Sequence, residues 1–185
     1  ELGLHADRVD KARREYFGEL GTVFKKVYGV LESNASAESI SLEYWRGWPE
    51  ESSLKETLLA ERKKDRSYGS TQNGPHRADL RVKVGKRLAS DVLSRGQQKV
   101  LICALKIAQG IHHASCSGDE CIYLIDDLPA ELDEENRAGI LNLLIGLGSQ
   151  LLVTSVDLHS IGACVPNGSE KRTFHVERGT IIHSF

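Results

Sequence analysis

The chain reads as an α/β protein in which a parallel sheet is flanked by helices and closed by a β-hairpin, after a mainly helical region over residues 1–70. Three observations predict this class. Cys121-Ile122-Tyr123-Leu124-Ile125 and Leu151-Leu152-Val153 are short continuous apolar runs, the pattern of strands covered on both faces in a parallel sheet. Between them, Asp133 to Gly146 has helical spacing, with Ile140, Leu143 and Leu144 inward, so strand, crossover helix and strand form a βαβ unit. The stretch from Thr173 to Ile182 then predicts a closing antiparallel hairpin.

The remaining elements follow from periodicity. From Asp7 to about Leu31, Val9, Ala12, Tyr16, Leu20, Val23, Phe24 and Tyr28 recur at steps of three and four, marking one face of a helix. A Ser/Ala-rich break from Ser33 to Ser39 interrupts the pattern. Ile40 to Trp45 alternates apolar and polar, as a half-buried strand does, and Gly47 and Pro49 end it. A second helix is predicted from Ser53 to about Arg66, with Leu54, Leu58 and Leu59 inward and the charged run from Glu61 to Arg66 facing water or a partner. Gly69 to Gly74 is a polar loop, which puts a boundary between two regions, 1–70 and 71–185, near residue 70. Ala78 to Val84 alternates with period two into a Gly85-Lys86 turn. A long helix runs from about Arg95 to His112, with Val100, Ala104, Ile107 and Ile111 as its buried stripe.

Composition narrows the class. With 185 residues, 40% hydrophobic and 27% charged, the chain is sized and mixed like a soluble globular protein, not a disordered tail. Its apolar runs are too short to cross a bilayer and its first residues are unlike a secretory leader, so no membrane partner and a cytoplasmic location are expected. Methionine is absent even at position 1 and the first residues already fit a helix, so the chain is expected to be the C-terminal portion of something larger. The net charge of −2 averages unlike segments: seven Lys or Arg against two Asp from Asp79 to Lys106, then eight acids against one Arg from Asp119 to Arg137. That polarity predicts an anion-receiving region and a cation-holding carboxylate cluster. Cys103, Cys116, Cys121 and Cys164 show no CxxC spacing and are expected to be reduced. His112, His113, Cys116 and Cys121 have metal-ligand side chains, but Cys121 begins a strand pattern and residues 117–120 read as a turn, which argues against zinc.

Two short constellations carry chemistry. Leu93-Ser94-Arg95-Gly96-Gln97 stands where the long helix begins. Ser94 is placed to cap it, and Gly96 permits close approach of a phosphate to the unpaired N–H groups of the first turn. The second is the adjacent pair Asp126-Asp127 at the end of a buried-strand pattern, with Glu131-Leu132-Asp133 just behind. Neighbouring carboxylates repel, so they call for a cation such as Mg²⁺ or a proton-transfer task.

Together, about thirty residues apart, these elements resemble the heads of ABC-type ATPases. Leu93 to Gln97 looks like the LSGGQ signature, Cys121 to Asp127 like Walker B, and Pro129 to Asp133 like the D-loop. Within that superfamily the chain is most similar to the RecF recombination-repair family, relatives of the SMC heads. The resemblance rests on the Leu-Ser-Arg-Gly-Gln signature, the Asp126-Asp127 pair and Gly74-Pro75-His76-Arg77-Ala78-Asp79-Leu80, with Arg46-Gly47-Trp48 and the helix ending Glu61 to Arg66 similar to the family's second lobe. It implies the C-terminal half of an ABC-type ATPase lobe over residues 71–185 and part of a helical second lobe, or arm, over residues 1–70.

The same resemblance implies ATP and Mg²⁺ as cofactors and an ATP-dependent homodimer. Ser94, Arg95, Gly96 and Gln97 would meet the γ-phosphate of ATP on the opposite protomer, and Asp126 would hold the water shell of Mg²⁺. Asp127 would be the catalytic carboxylate, one methylene shorter than the usual Glu, and Glu131 and Asp133 would form the D-loop. It also implies double-stranded DNA and single-strand/double-strand junctions as partners, beside recombination mediators such as RecR, in DNA replication, repair and the SOS response. Two departures stand out. Ser155 occupies the switch-histidine position, with His159 the nearest histidine. The Walker A pattern G-x-x-x-x-G-K-[S/T] is absent, since Gly85-Lys86 has Leu80 and Arg87 in the wrong places, so the chain alone should bind ATP poorly.

Arg62, Lys63, Lys64 and Arg66, with Arg81, Lys83, Lys86 and Arg87, are candidates to follow duplex phosphates. By themselves they fit a solvated face better. Two other readings stay open: a head from another ABC or SMC branch, and a non-catalytic DNA- or partner-binding fragment with vestigial acids.

Overall fold

The computed structural model describes residues 1–32, 39–128, 132–166 and 168–184. The chain folds as two compact units, Glu1–Tyr123 and Leu124–Phe185.

The first unit is built on a 30-residue helix, α1 (Leu2–Leu31), lying along α5 (Arg95–Ser117). Ala6, Asp10, Leu20, Phe24, Val27 and Tyr28 are the buried residues of α1. Val9 and Ala12, expected inward, face solvent, because the covered stripe follows alternating steps of four and three through Ala6 and Asp10. On α5, Val100, Leu101, Ala104, Ile107 and Ala108 are buried, in line with the predicted stripe, with Ile111 only half-buried. Gly110 is needed there. A Cβ at this position would stand 2.0 Å from the Tyr123 hydroxyl, which donates to the Ile107 carbonyl at 3.4 Å. Helix α5 outruns its predicted end at His112 and stops at Ser117, where Gly118 takes a left-handed φ of 79°.

Strands β1 (Ile40–Trp45), β2 (Asp79–Val84) and β3 (Arg87–Leu88) form an antiparallel sheet in that order, with Ile40 opposite Val84 and Trp45 opposite Asp79. The predicted helix from Ser53 to Arg66 is two helices, α2 (Leu54–Ala60) and α3 (Arg62–Tyr68), meeting at Glu61. A capping box starts α2: the Ser53 hydroxyl accepts from the Glu56 N–H, and the Glu56 carboxylate accepts from the Ser53 N–H at 2.9 Å. The bonds that the carboxylate accepts from the Ser53 N–H and hydroxyl hold the Glu56 carboxyl below its ordinary value. Leu54 is buried, but Leu59 is 63% exposed and Thr57 takes the inward position instead. The short α4 (Ala89–Val92) leads into α5.

Trp48, fully buried with Ala6 and Leu54, anchors the turn after β1. The Arg46 guanidinium lies 4.6 Å from its ring centroid and donates to the carbonyls of Pro49 and Ser52. Beside it the buried Asp10 accepts from Arg14 at 3.0 Å, and Arg14 donates to both Glu50 oxygens. Hydrogen bonds from Arg14 to Glu50 and Asp10 raise the guanidinium pKa further.

Strand β4 (Tyr123–Ile125) starts on the last residue of the first unit, and the second unit holds the rest of it with α6 (Glu134–Gly146), β5 (Leu151–Val153), the short α7 (Leu158–Gly162) and the hairpin β6 (Phe174–Glu177) and β7 (Thr180–Ser184). β4 and β5 are neighbours joined by α6, a βαβ unit with parallel strands. Ile140, Leu141 and Leu144 are the buried residues of α6, and Leu143 is half-buried. The strands are not covered on both faces among the described residues: Leu124 is 76% and Leu152 51% exposed, because one crossover helix covers one face of a two-stranded sheet and leaves the other open. Arg178 and Gly179, both at positive φ, make the tight turn of the hairpin. Among the described residues, no helix is long and apolar enough to cross a membrane.

Gly47 offers a test of the β1 turn. Its φ is 99°, and a Cβ would stand 2.1 Å from the Gly74 carbonyl oxygen and 2.8 Å from the Ala78 nitrogen, both backbone atoms. Gly47→Ala should destabilise the protein by about 1–3 kcal/mol in urea unfolding, since neither the dihedral nor the neighbours can yield cheaply.

Candidate functional site

At the start of α5, Ser94 is an exposed N-cap residue. Its hydroxyl accepts from the Gln97 N–H at 3.3 Å, and the Gln97 side-chain oxygen accepts from the Ser94 N–H at 3.0 Å. This capping box satisfies two helix-end groups, and Leu93, buried just before it, fixes the entry of the chain. Arg95 and Gly96 stand exposed in the first turn, and a Cβ at Gly96 would meet only the Ser94 hydroxyl, at 4.0 Å. The helix end is therefore open to an anion that competes for the Ser94 and Gln97 side chains.

In the second unit, the end of β4 turns at Asp126 and Asp127. The Ile125 carbonyl accepts from the Thr154 N–H at 2.9 Å, extending the β4–β5 pairing one residue past the end of β5. One side chain then organises the turn. The Thr154 hydroxyl donates to Asp126 Oδ1 and accepts from the Asp127 N–H at 3.0 Å. Asp127 adopts a φ of 45°, a left-handed conformation that costs a non-glycine residue about 1 kcal/mol or more and that Asp tolerates better than most. Asp126 is exposed and Asp127 half-buried. Leu128 and Leu132 are buried on either side of residues 129–131. Carboxylate and hydroxyl oxygens are hard donors, so Asp126 with Thr154 suits Mg²⁺ and its waters in kind.

Thr154 is not among the residues that the sequence singles out. A hydroxyl residue at the end of the strand beside an acidic strand tip is the available signal, but only the β4–β5 register reveals which carboxylate it reaches.

Of the other candidates, Glu131 lies outside the described residues. Asp133 is the N-cap of α6, accepting from the Asn136 N–H at 2.9 Å, and is exposed. Ser155 forms a local turn, its hydroxyl donating to the Asp157 carbonyl at 2.8 Å and accepting from the Asp157 N–H at 3.0 Å. Arg62, Lys63, Lys64 and Arg66 are exposed on α3, Lys64 within 3.4 Å of Glu61. Lys86 is exposed in the turn between β2 and β3, and Arg87 reaches the Asp91 carbonyl at 3.4 Å. Lys83 is spent on an ion pair with Glu43, and Arg81 lies over the Trp45 ring, so neither projects as a free cation. The signature segment and the acidic turn belong to different compact units.

Residues 31–178 match the family described as the RecF/RecN/SMC N-terminal domain. The DNA replication and repair protein RecF of Azotobacter vinelandii is 44% identical over 184 residues, covering 100% of this chain and 49% of that protein. RecF of Pseudomonas syringae pv. tomato is 41% identical over the same length and coverage. The chain thus spans about half the length of the curated relatives it matches. Among solved structures, the recombination mediator RecF with bound ATP in the RecFOR pathway superposes with a TM-score of 0.71 at 22% identity, over 98% of this chain and 48% of that one. An SMC head bound to the C-terminal winged-helix domain of ScpA gives 0.52 at 16%, over 93% and 44%. Both likenesses concern the fold.

The cap at Ser94 can be tested apart from any activity. Ser94→Ala should lower stability by about 0.5–2 kcal/mol in chemical denaturation, and Ser94→Asp, which keeps an acceptor for the Gln97 N–H, should restore most of it.

Proposed function

The chain belongs to the RecF/RecN/SMC family, and from that premise we propose that it forms the C-terminal part of a RecF-like ATPase of DNA replication and repair. Two copies close on ATP, the closed pair holds duplex DNA near single-strand gaps, and slow hydrolysis releases it. The observation that carries this reading is the turn at Asp126-Asp127, two adjacent acidic residues at the tip of a parallel strand, where one hydroxyl holds the Asp126 carboxylate and the Asp127 N–H.

Each residue then has a task. At the open end of α5, Ser94, Arg95, Gly96 and Gln97 take up the γ-phosphate of nucleotide carried by the other copy, with the Ser94 and Gln97 side chains exchanging their capping bonds for it. Asp126, aimed by Thr154, holds the waters of Mg²⁺, which supplies charge neutralisation when bound. Asp127 orients the attacking water or takes its proton. Its side chain, shorter than Glu, suits slow turnover. Asp133 and Glu131 form the D-loop, and Asp133 answers to the partner copy's occupancy. Ser155 stands at the switch position, where it offers hydrogen bonds but no charge near pH 7. The phosphate-binding lysine is not among these 185 residues, so turnover requires a Walker A loop from the rest of a longer protein. In this reading residues 1–70 belong to the second lobe and 71–185 to the ATPase lobe. Recombination mediators such as RecR are partners of the assembled protein.

In a full-length protein that carries the Walker A loop, Asp127→Asn should reduce ATP turnover by about 100-fold or more while ATP-dependent dimerisation persists in light scattering. Thr154→Val should lower turnover with intact nucleotide binding. Unchanged turnover in Asp127→Asn would remove the catalytic assignment and leave a binding role. For DNA, replacing Lys63, Lys64 and Arg66 with Ala should weaken duplex binding and flatten its salt dependence by up to about 0.9 per lost phosphate contact, measured by fluorescence anisotropy. Equal slopes for both proteins would place the DNA surface elsewhere.

A further inference from the structure

The sequence groups His112, His113, Cys116 and Cys121, but folding sorts them differently. His113 meets the Ser117 hydroxyl at 3.3 Å, and the Cys121 thiol points to the Gly110 carbonyl at 3.9 Å. Their place beside His112 and Cys116 is taken by Glu19 of α1. His112 Nε2 lies 3.7 Å from Glu19 Oε2 and 4.0 Å from Cys116 Sγ, and the three donor atoms all fall within 4.8 Å of one another.

We propose that Glu19, His112 and Cys116 form a binding site for a zinc-type divalent metal ion that fastens α1 to α5. The chemistry of the set supports it. One carboxylate oxygen, one imidazole nitrogen and one thiolate are the donor types that select a borderline-soft cation over Mg²⁺ or Ca²⁺. Bond lengths of about 2.0–2.1 Å to N and O and about 2.3 Å to S place tetrahedral donors roughly 3.3–3.6 Å apart. The two separations from His112 exceed that by a few tenths of an ångström and the third is at most 4.8 Å, so rotation of the exposed Glu19 and Cys116 side chains closes the set. His112 and Cys116, four residues apart, share one face of α5, so the helix presets two ligands.

The surroundings fit a ligand rather than a surface pair. His112 is 9% exposed, and its ring rests on Tyr16 with centroids 5.2 Å apart. Tyr16 is within 3.5 Å of the Gln109 amide, so the imidazole is steadied from both helices. Glu19 and Cys116 are exposed, which leaves a path for the ion and room for a water as fourth ligand. A metal here would tie the middle of α1 to the last turns of the helix whose other end carries Ser94. The site is separate from the proposed ATPase chemistry, and its test does not depend on turnover.

The test uses the full-length protein, purified free of metal under reducing conditions and titrated with Co²⁺ and then Zn²⁺. One Co²⁺ should bind with an intense near-ultraviolet thiolate charge-transfer band, and Zn²⁺ should displace it. Cys116→Ser should abolish that band, and Glu19→Gln should weaken Co²⁺ binding at least about tenfold. Both substitutions fall on exposed side chains, so unchanged metal-free melting curves should show that they fold. Zn²⁺ should also raise the Tm of the parent protein and not that of Cys116→Ser. Absence of a charge-transfer band, or a band and a Zn²⁺-induced Tm shift that survive Cys116→Ser, would overturn the site and leave Glu19 and His112 as a simple ion pair.

Discussion

Helix α1 shows its apolar side chains as a narrow seam, so its 30 residues keep their place only while that seam is covered, and α5 is what covers it. Leu20, Phe24 and Tyr28 on one helix and Val100, Ala104 and Ala108 on the other are all essentially inaccessible. At about 25 cal/mol per Å² of apolar surface removed from water, side chains of this size dominate the first unit's stability. The sheet from β1 to β3 and the Trp48 turn also pack on α1, and Asp10, Arg14 and Glu50 fix the turn after β1 to it. Ser94 begins the helix that this packing positions, and His112 and Cys116 stand near its other end.

Buried polar groups are costly unless satisfied, and at Asp10 neighbouring arginines meet part of that cost. The buried Asp10 accepts from Arg14 at Oδ2, which also lies 3.8 Å from Arg46, while its buried Oδ1 has no hydrogen-bond partner among the described residues. Arg46 donates to the carbonyls of Trp48, Pro49 and Ser52 and lies over the Trp48 ring. The turn at Asp126-Asp127 solves a related problem with less material. Two neighbouring carboxylates repel, and the single hydroxyl just past the adjacent strand neutralises none of that charge; it fixes the Asp126 carboxylate and the backbone of Asp127. In the proposed function a cation balances them, and the proposal rests on this turn and not on the more numerous basic side chains.

The cap at Ser94, the βαβ order and the closing hairpin are legible in the sequence because they follow from local rules, in which a residue's partner lies a few positions away. Periodicity places Val9 and Ala12 of α1 and Leu59 of α2 inward, and all three face solvent, because spacing cannot say which of two adjacent stripes a neighbouring element will cover. The break at Glu61 is hidden for a similar reason, since good helix formers stand on both sides of it.

Residues close together along the chain were enough to specify most of the longer elements and their order, the family resemblance, and the acidic and capping motifs. That Thr154 reaches Asp126 and Asp127, that Lys83 is consumed by Glu43, and that Glu19 replaces His113 and Cys121 beside His112 and Cys116 emerged only once the chain was folded. Those pairings join residues on different strands or helices. Their distances are set by strand register and helix packing, and neither is encoded in the spacing of one segment.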